Sequence, residues 1–231
     1  MVKVLSSPRA DVYGQMAFDE VLVSEPSFAG EDLCRFFNWT GGPCATFGYA
    51  QFYNSAKAGF EAAGIKEFTR RPTGGGIVLH KDDLTFSLIF NCTRDLNVRQ
   101  IYDKLHGLIK ENFKKSGVDF DSYNDKSDYR PAPGGQNSAC FTNPVGGDLM
   151  SGGVKILGGA MRRYGERILY QGSLQLKGAR ENEFFKTVIE NAFAEFRSAP
   201  LTRGELAPET VERAFALARD CYASQAWKGK F

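Results

Sequence analysis

Three consecutive glycines stand directly between a pair of arginines and an apolar run, in the segment Arg70-Arg71-Pro72-Thr73-Gly74-Gly75-Gly76-Ile77-Val78-Leu79-His80. Glycine brings main-chain N–H groups up to a ligand with no Cβ in between and reaches conformations with φ > 0. Paired arginines add planar, bidentate donors for a carboxylate or phosphate. Two readings of these residues stand side by side. One is a site for an anion or acyl ester; the other is a glycine-rich turn before a strand, flanked by two solvated arginines.

The rest of the chain limits the choice. Its 231 residues are 42% hydrophobic and 24% charged, a balance that buries a substantial core and predicts one domain over 1–231. A formal charge of +2 is spread along the chain, which gives no footprint for nucleic acid. Five cysteines (Cys34, Cys44, Cys92, Cys140, Cys221) are odd in number, far apart and without a CxxC or Cys/His pairing, so neither a disulfide framework nor a metal site is expected. This cysteine usage predicts a reducing, cytoplasmic setting. No segment approaches the roughly 20 apolar residues of a membrane span, so no membrane association is expected.

The spacing of apolar residues predicts a helix over Asp11 to Ser24, with Asp11 as N-cap, and a second over Val98 to Lys115, closed by Gly117. The second helix reads as a core-packing element, with His106 in a structural role. Strands are expected at Leu33 to Trp39 and Ala45 to Phe47, around a Gly41-Gly42-Pro43 turn. Ile77 to Leu79 and Leu84 to Asn91 read as a hairpin joined by Lys81-Asp82-Asp83. Asn124 to Asn137 has the composition of an exposed loop. Val154 to Leu157 and Arg167 to Leu176 favour strands, and helices at about 183–198 and 208–226 end the chain. The order of elements is that of a mixed α/β (α+β) domain without regular βαβ alternation.

Two further features carry chemistry. Lys155 is the one lysine between the glycine pairs 152–153 and 158–159, and an ammonium in such apolar surroundings requires a counter-charge. A strand-edge lysine that blunts sheet pairing is the structural alternative. Cys140 closes a polar stretch rather than sitting in a periodic apolar stripe; as a free cysteine it is either a small buried hydrophobe or, with Lys155 nearby, a thiolate nucleophile.

The order of several motifs gives these features a common meaning. Gly14-Gln15-Met16-Ala17-Phe18-Asp19-Glu20, Phe47-Gly48-Tyr49-Ala50-Gln51, the arginine-glycine segment, Leu84-Thr85-Phe86-Ser87, Lys155 through Arg163 and Ile168 through Leu174 follow one another over about residues 11 to 176. Together they resemble the biotin/lipoate protein ligase and octanoyltransferase superfamily. That resemblance implies the superfamily's mixed-sheet catalytic domain, similar to that of class II aminoacyl-tRNA synthetases. It also implies that Arg70, Arg71, Thr73, Gly74, Gly75 and Gly76 line an acyl pocket, with the arginines handling the carrier end or shaping the loop. Lys155 then contacts the reacting carbonyl, Gly158, Gly159 and Ala160 face the substrate, and His80 positions a substrate group, accepts a proton or makes a structural hydrogen bond.

Cys140-Phe141, placed shortly before the lysine motif, resembles the cysteine-dependent octanoyltransferases of lipoate assembly. About fifty-five residues follow the last motif, so no accessory C-terminal domain is expected. The implied reaction moves an octanoyl or lipoyl group from acyl carrier protein, through a Cys140 thioester, to a lysine of a lipoyl domain or H protein. That route needs no cofactor. The alternative is a lipoate-protein ligase that uses ATP and Mg2+ to form an acyl-adenylate, independent of Cys140. A monomer is expected in either case. Two positions depart from the family pattern: Tyr49 or Ala50 stands where arginine is common, and Leu157 replaces a small polar residue. Leu157 either narrows the pocket or faces the core.

Overall fold

The computed structural model describes residues 1–92, 97–124 and 143–230. In chain order its strands are β1 (Val2–Leu5), β2 (Arg9–Ala10), β3 (Asp32–Phe36), β4 (Asn38–Trp39), β5 (Cys44–Phe47), β6 (Glu67–Arg70), β7 (Val78–His80), β8 (Leu84–Asn91), β9 (Asp121–Ser122), β10 (Leu149–Ser151), β11 (Val154–Tyr164), β12 (Arg167–Leu174) and β13 (Leu201–Gly204). Its helices are α1 (Val12–Ser24), α2 (Tyr53–Ala62), α3 (Val98–Lys115), α4 (Glu183–Arg197), α5 (Pro208–Leu217) and α6 (Gln225–Lys228).

Eight strands form one sheet in the order β13-β1-β3-β8-β12-β11-β10-β9. β13, β1 and β3 are parallel, and every pairing from β3 onward to β9 is antiparallel. Successive side chains of a strand point to opposite faces, and β12 shows what each face is for. Ile168, Tyr170 and Leu174 join the main core with Ile101, Leu105 and Phe113 of α3 and Val188, Ile189 and Phe193 of α4. Leu169 turns the other way, into a cluster with Leu22 and Val23 of α1. A smaller sheet, β6-β5-β7, carries the glycine-rich segment on the α1 side and packs on Ala56 and Phe60 of α2.

Both long helices begin and end as their sequences dictate. The Asp11 carboxylate accepts from Gly14 N at 2.8 Å to cap α1, and the Asn97 side chain accepts from Arg99 N at 2.8 Å to cap α3. Gly117, at φ +84°, turns the chain away after α3.

Two expectations are corrected. β7 and β8 do not form a hairpin: β7 pairs with β5 in the small sheet, whereas β8 pairs with β3 and β12 in the large one. The reason is Asp83 in the connection, which is buried and accepts from His80, Thr85 and Ser173, so it pins the crossing between sheets instead of a solvent-facing turn. The helix expected at 208–226 ends at Leu217, passes through a π turn at 218–222 and resumes only as α6. Among the described residues no helix is long and apolar enough to cross a membrane.

Candidate active site

The arginine-glycine segment folds as a loop braced from within. Arg70 is fully buried, and its guanidinium donates to the carbonyls of Tyr49, Gln51 (2.8 Å), Trp227 (3.2 Å) and Lys228 (2.7 Å). Arg71 donates from Nε to the Gly74 carbonyl at 3.0 Å and from Nη2 to that of Gly76 at 2.7 Å. Of the two roles open to the arginines, shaping the loop is the one these contacts serve. Thr73 donates to Gln171 Oε1 at 2.6 Å, which ties the loop to the large sheet. Gly48 is required where the loop crosses it: a Cβ there would lie 1.9 Å from the Gly75 carbonyl oxygen.

Gly74, Gly75 and Gly76 form one wall of a cavity of about 250 Å³. Facing them are Gly159, Ala160 and Met161 of β11, with Val98 and Tyr102 of α3 and Lys155 alongside. A recess of about 30 Å³ shares Gly159 and Ala160 and reaches Gly158, Met16, Arg71 and His80. The predicted glycines, Ala160, Arg71, His80 and Lys155 are therefore gathered around one connected region. Arg70 and Thr73 stand behind it and do not line it. A larger cleft of about 680 Å³ lies elsewhere, beside Trp39, Arg180 and Arg203. Its walls carry four glutamates and three basic residues, which suits an alkyl chain poorly.

Lys155 is buried and its counter-charge is Asp148, with Nζ 2.8 Å from Oδ2. The sequence indicated the need for this partner without naming it. Asp148 precedes β10, and Gly152 and Gly153, both at positive φ, fold β10 back on β11. A bulge on the lysine strand, between the pairs Leu149↔Leu157 and Met150↔Lys155, re-aims the lysine. Gly158 makes room for it: a Cβ there would lie 2.3 Å from Lys155 Cε. Leu157 is fully buried in the main core and does not narrow the cavity.

Helix α3 brings to the site Tyr102, which its periodicity placed only on a core-packing face, and His106. Tyr102 donates to Asp148 Oδ1 and accepts from Gly159 N at 3.1 Å, and its ring stacks on His106 at 3.9 Å. The Tyr102 phenol is held well above its ordinary range by burial first and by Asp148 second, so it stays protonated and can donate. His106 bridges Gly147 O (3.0 Å) and Tyr170 OH (2.8 Å), and burial above all lowers its pKa to about 3. It is a neutral, structural imidazole.

His80 contacts Asp83 Oδ2 at 2.9 Å and Thr46 Oγ1 at 3.1 Å. Burial raises the Asp83 carboxyl, but His80, Ser173 and Thr85 outweigh it and leave it below the usual carboxylate range. Tyr49, at a position that departs from the family pattern, lies under the Arg162 guanidinium at 4.4 Å.

Cys140 and the 125–137 part of the predicted polar loop fall outside the described residues. Of the four described cysteines, Cys34, Cys44 and Cys92 are buried and Cys221 is half-buried. Burial pushes the Cys34 thiol up, that of Cys44 up to about 12, and that of Cys221 upward, so these three resist ionisation. None of the four lines the cavity beside Lys155.

The lipoyl protein ligase A/B catalytic-domain family matches residues 11–200. An octanoyltransferase LipM of Oceanobacillus iheyensis is 30% identical over 181 residues, which cover 74% of this chain and 63% of that protein. The LipM of Carboxydothermus hydrogenoformans is 31% identical over 176 residues, covering 70% and 60%. The chain thus spans somewhat under two thirds of the length of these two relatives. A crystal structure of lipoate-protein ligase A bound with ATP has the same fold, with a TM-score of 0.77 at 17% identity, over 99% of this chain and 98% of that one.

Proposed function

The chain belongs to the lipoyl protein ligase A/B catalytic-domain family, and from that premise we propose that it is an octanoyltransferase of lipoate assembly. It takes an octanoyl group from acyl carrier protein and delivers it to a lysine of a lipoyl domain or H protein, with Cys140 as the intermediate carrier. The observation that carries this reading is the buried Lys155 ammonium, set in the wall of an apolar cavity opposite Gly74–Gly76. The similarity to LipM octanoyltransferases points to the same acyl group.

In the first step the Cys140 sulfur attacks the thioester carbonyl. The bond from that carbon to the carrier sulfur breaks, and the carrier leaves as a thiol with the proton that Cys140 gave up. In the second step the acceptor ε-amine attacks the new thioester; an amide forms and the amine proton returns to the Cys140 sulfur. Exchange between thioesters is nearly isoenergetic, so the acyl-enzyme forms without ATP. Lys155 meets the negative charge on the carbonyl oxygen in both tetrahedral intermediates, a contact worth roughly 3 kcal/mol. In this reading main-chain N–H groups of the glycine wall add further donors for the same oxygen. Gly159 N is already given to Tyr102 and is not one of them.

Mixing the protein with octanoyl-acyl carrier protein in the absence of ATP, and recording its intact mass, tests this reading. An octanoyl adduct is expected on the wild type and none on Cys140→Ala, whose transfer rate falls by about 10³-fold or more. No adduct on the wild type, with full activity of Cys140→Ala on lipoate plus ATP, would establish the adenylate route instead.

A further inference from the structure

We propose that Asp148 is a positioning residue for the reaction: with Tyr102 as its brace, it holds Lys155 at the reacting carbonyl and keeps that lysine charged inside an apolar wall. The inference rests on the acyl-transfer reading for its kinetics, but the state of Lys155 can be read without substrate.

Three observations carry it. Asp148 is fully buried and spends its oxygens on three donors: Lys155 Nζ at 2.8 Å, Val145 N at 2.7 Å and Tyr102 OH. A carboxylate fixed by a backbone amide and a buried phenol cannot follow the lysine, so the lysine's position is set by the carboxylate. The lysine side chain, for its part, folds back over Gly158, where any Cβ would collide with Cε and Nζ. The 145–148 turn is itself anchored, through Gly147 N to Tyr123 O at 2.9 Å and His106 Nδ1 to Gly147 O at 3.0 Å.

Among the described groups packed around Lys155, Asp148 is the carboxylate in contact with it. From α3 come Tyr102 and His106, both held neutral as described above. From β12 comes Tyr170, whose hydroxyl is engaged with His106. Asp103 and Arg99 lie farther out on α3 and are paired with each other at 3.0 Å. An ammonium buried among these groups without a carboxylate sheds its proton at lower pH. A neutral amine no longer offsets the oxyanion.

Asp148→Asn keeps the shape and removes the charge. Its kcat is expected to fall at least about tenfold at neutral pH with KM little changed, and the alkaline limb of the kcat profile to move down by about one pH unit or more. The Lys155 Cε resonance of 13C-lysine-labelled protein, followed through a pH titration, should move down by the same amount. Tyr102→Phe leaves the carboxylate in place but unbraced, and a two- to tenfold loss in kcat is expected.

A folded Asp148→Asn protein with wild-type kcat and an unshifted lysine titration overturns the proposal. If Asp148→Asn does not fold, an unchanged kcat in Tyr102→Phe overturns it. A shifted lysine titration in a protein that never transfers octanoyl groups would sink the reaction assignment and leave the Asp148 proposal standing.

Discussion

Two buried ion pairs sit on opposite faces of the same sheet, and they are built for different ends. On the α1 face, Arg35 donates to Asp19 through Nε and Nη2, to Gln15 Oε1 through Nη1 and to Gln15 O through Nη2. Asp19 also accepts from Ser87 and from Gln171, each at 2.7 Å. Phe37 covers the guanidinium at 4.2 Å, and neither charged residue lines the cavity or the recess beside Lys155. On the α3 face, Lys155 has the same kind of carboxylate partner but forms part of a cavity wall. A planar fork held by four hydrogen bonds is a scaffold, whereas a point charge at a wall faces whatever enters. The Gln171 amide connects the two regions, since it binds Asp19 and receives Thr73 from the glycine loop.

The largest effect should come from breaking the sealed pair. Arg35→Met leaves Asp19 buried without its cation, which costs about 3–5 kcal/mol of stability. Urea unfolding measures it as a lower midpoint, and the turnover of the remaining folded protein should match wild type. A variant that keeps its midpoint but loses turnover would mean that this pair, too, takes part in the reaction, and the contrast would fail.

The second test separates position from stability on the lysine side. In Gly158→Ala the added Cβ meets the far end of the Lys155 side chain, at 2.3 Å from Cε and 2.5 Å from Nζ. The lysine end shifts while staying paired with Asp148, so unfolding should change by about 1–2 kcal/mol, short of the roughly 3–5 kcal/mol of a broken buried pair. The displaced ammonium should lower kcat about 10- to 100-fold. At Gly48 the same substitution would strike the Gly75 carbonyl, a backbone atom with nowhere to go, and there the fold itself should suffer. Equal kcat in Gly158→Ala and wild type would show that the position of Lys155 does not limit the rate.

What the sequence made legible follows from how local each signal is. The extent of α3 was readable because its apolar period and Gly117 are both written in one stretch of chain. The glycine loop and the need for a charge beside Lys155 were readable because residue type alone implies them. The identity of that charge was not, although Asp148 is only seven residues away. It depends on a two-residue glycine turn and on a bulge that shifts the pairing by one residue. The choice among solvent, ligand and loop for the arginines stayed open in the sequence for a similar reason. Their partners are carbonyls, which every residue carries, and Trp227 and Lys228 come from the far end of the chain. The hairpin expected across Lys81-Asp82-Asp83 failed because alternation marks strands but not the sheet they join. The network around Asp19 draws on α1, β3, β8 and β12, so no single segment announced it.

The smallest expected effect concerns how the two faces respond to acid. His106 borders the lysine side and has its pKa lowered to about 3, mainly by burial. In the unfolded chain the same imidazole takes up its proton near pH 6.5. Between those values the unfolded state binds more protons, so stability falls as the pH drops below about 6.5 and continues to fall toward 3. From pH 7 to pH 5 this one residue should cost about 2 kcal/mol. Asp83, on the α1 side, has a lowered pKa as well, but a carboxylate below its usual range loses its contribution only at more acidic pH. In the pH 5 to 7 window the lysine side should therefore loosen first. His106→Gln, unfolded in urea at pH 7 and pH 5, should lose about 2 kcal/mol less than wild type over that interval. Hydrogen exchange at pH 5 should show α3 opening before α1 in the wild type, because the hydrogen bond that His106 Nε2 accepts from the Tyr170 hydroxyl is the one a second proton breaks, while Nδ1–H keeps the Gly147 carbonyl. If both proteins weaken equally with acid, the imidazole is not what distinguishes the two faces, and the difference between them lies only in the cavity beside Lys155.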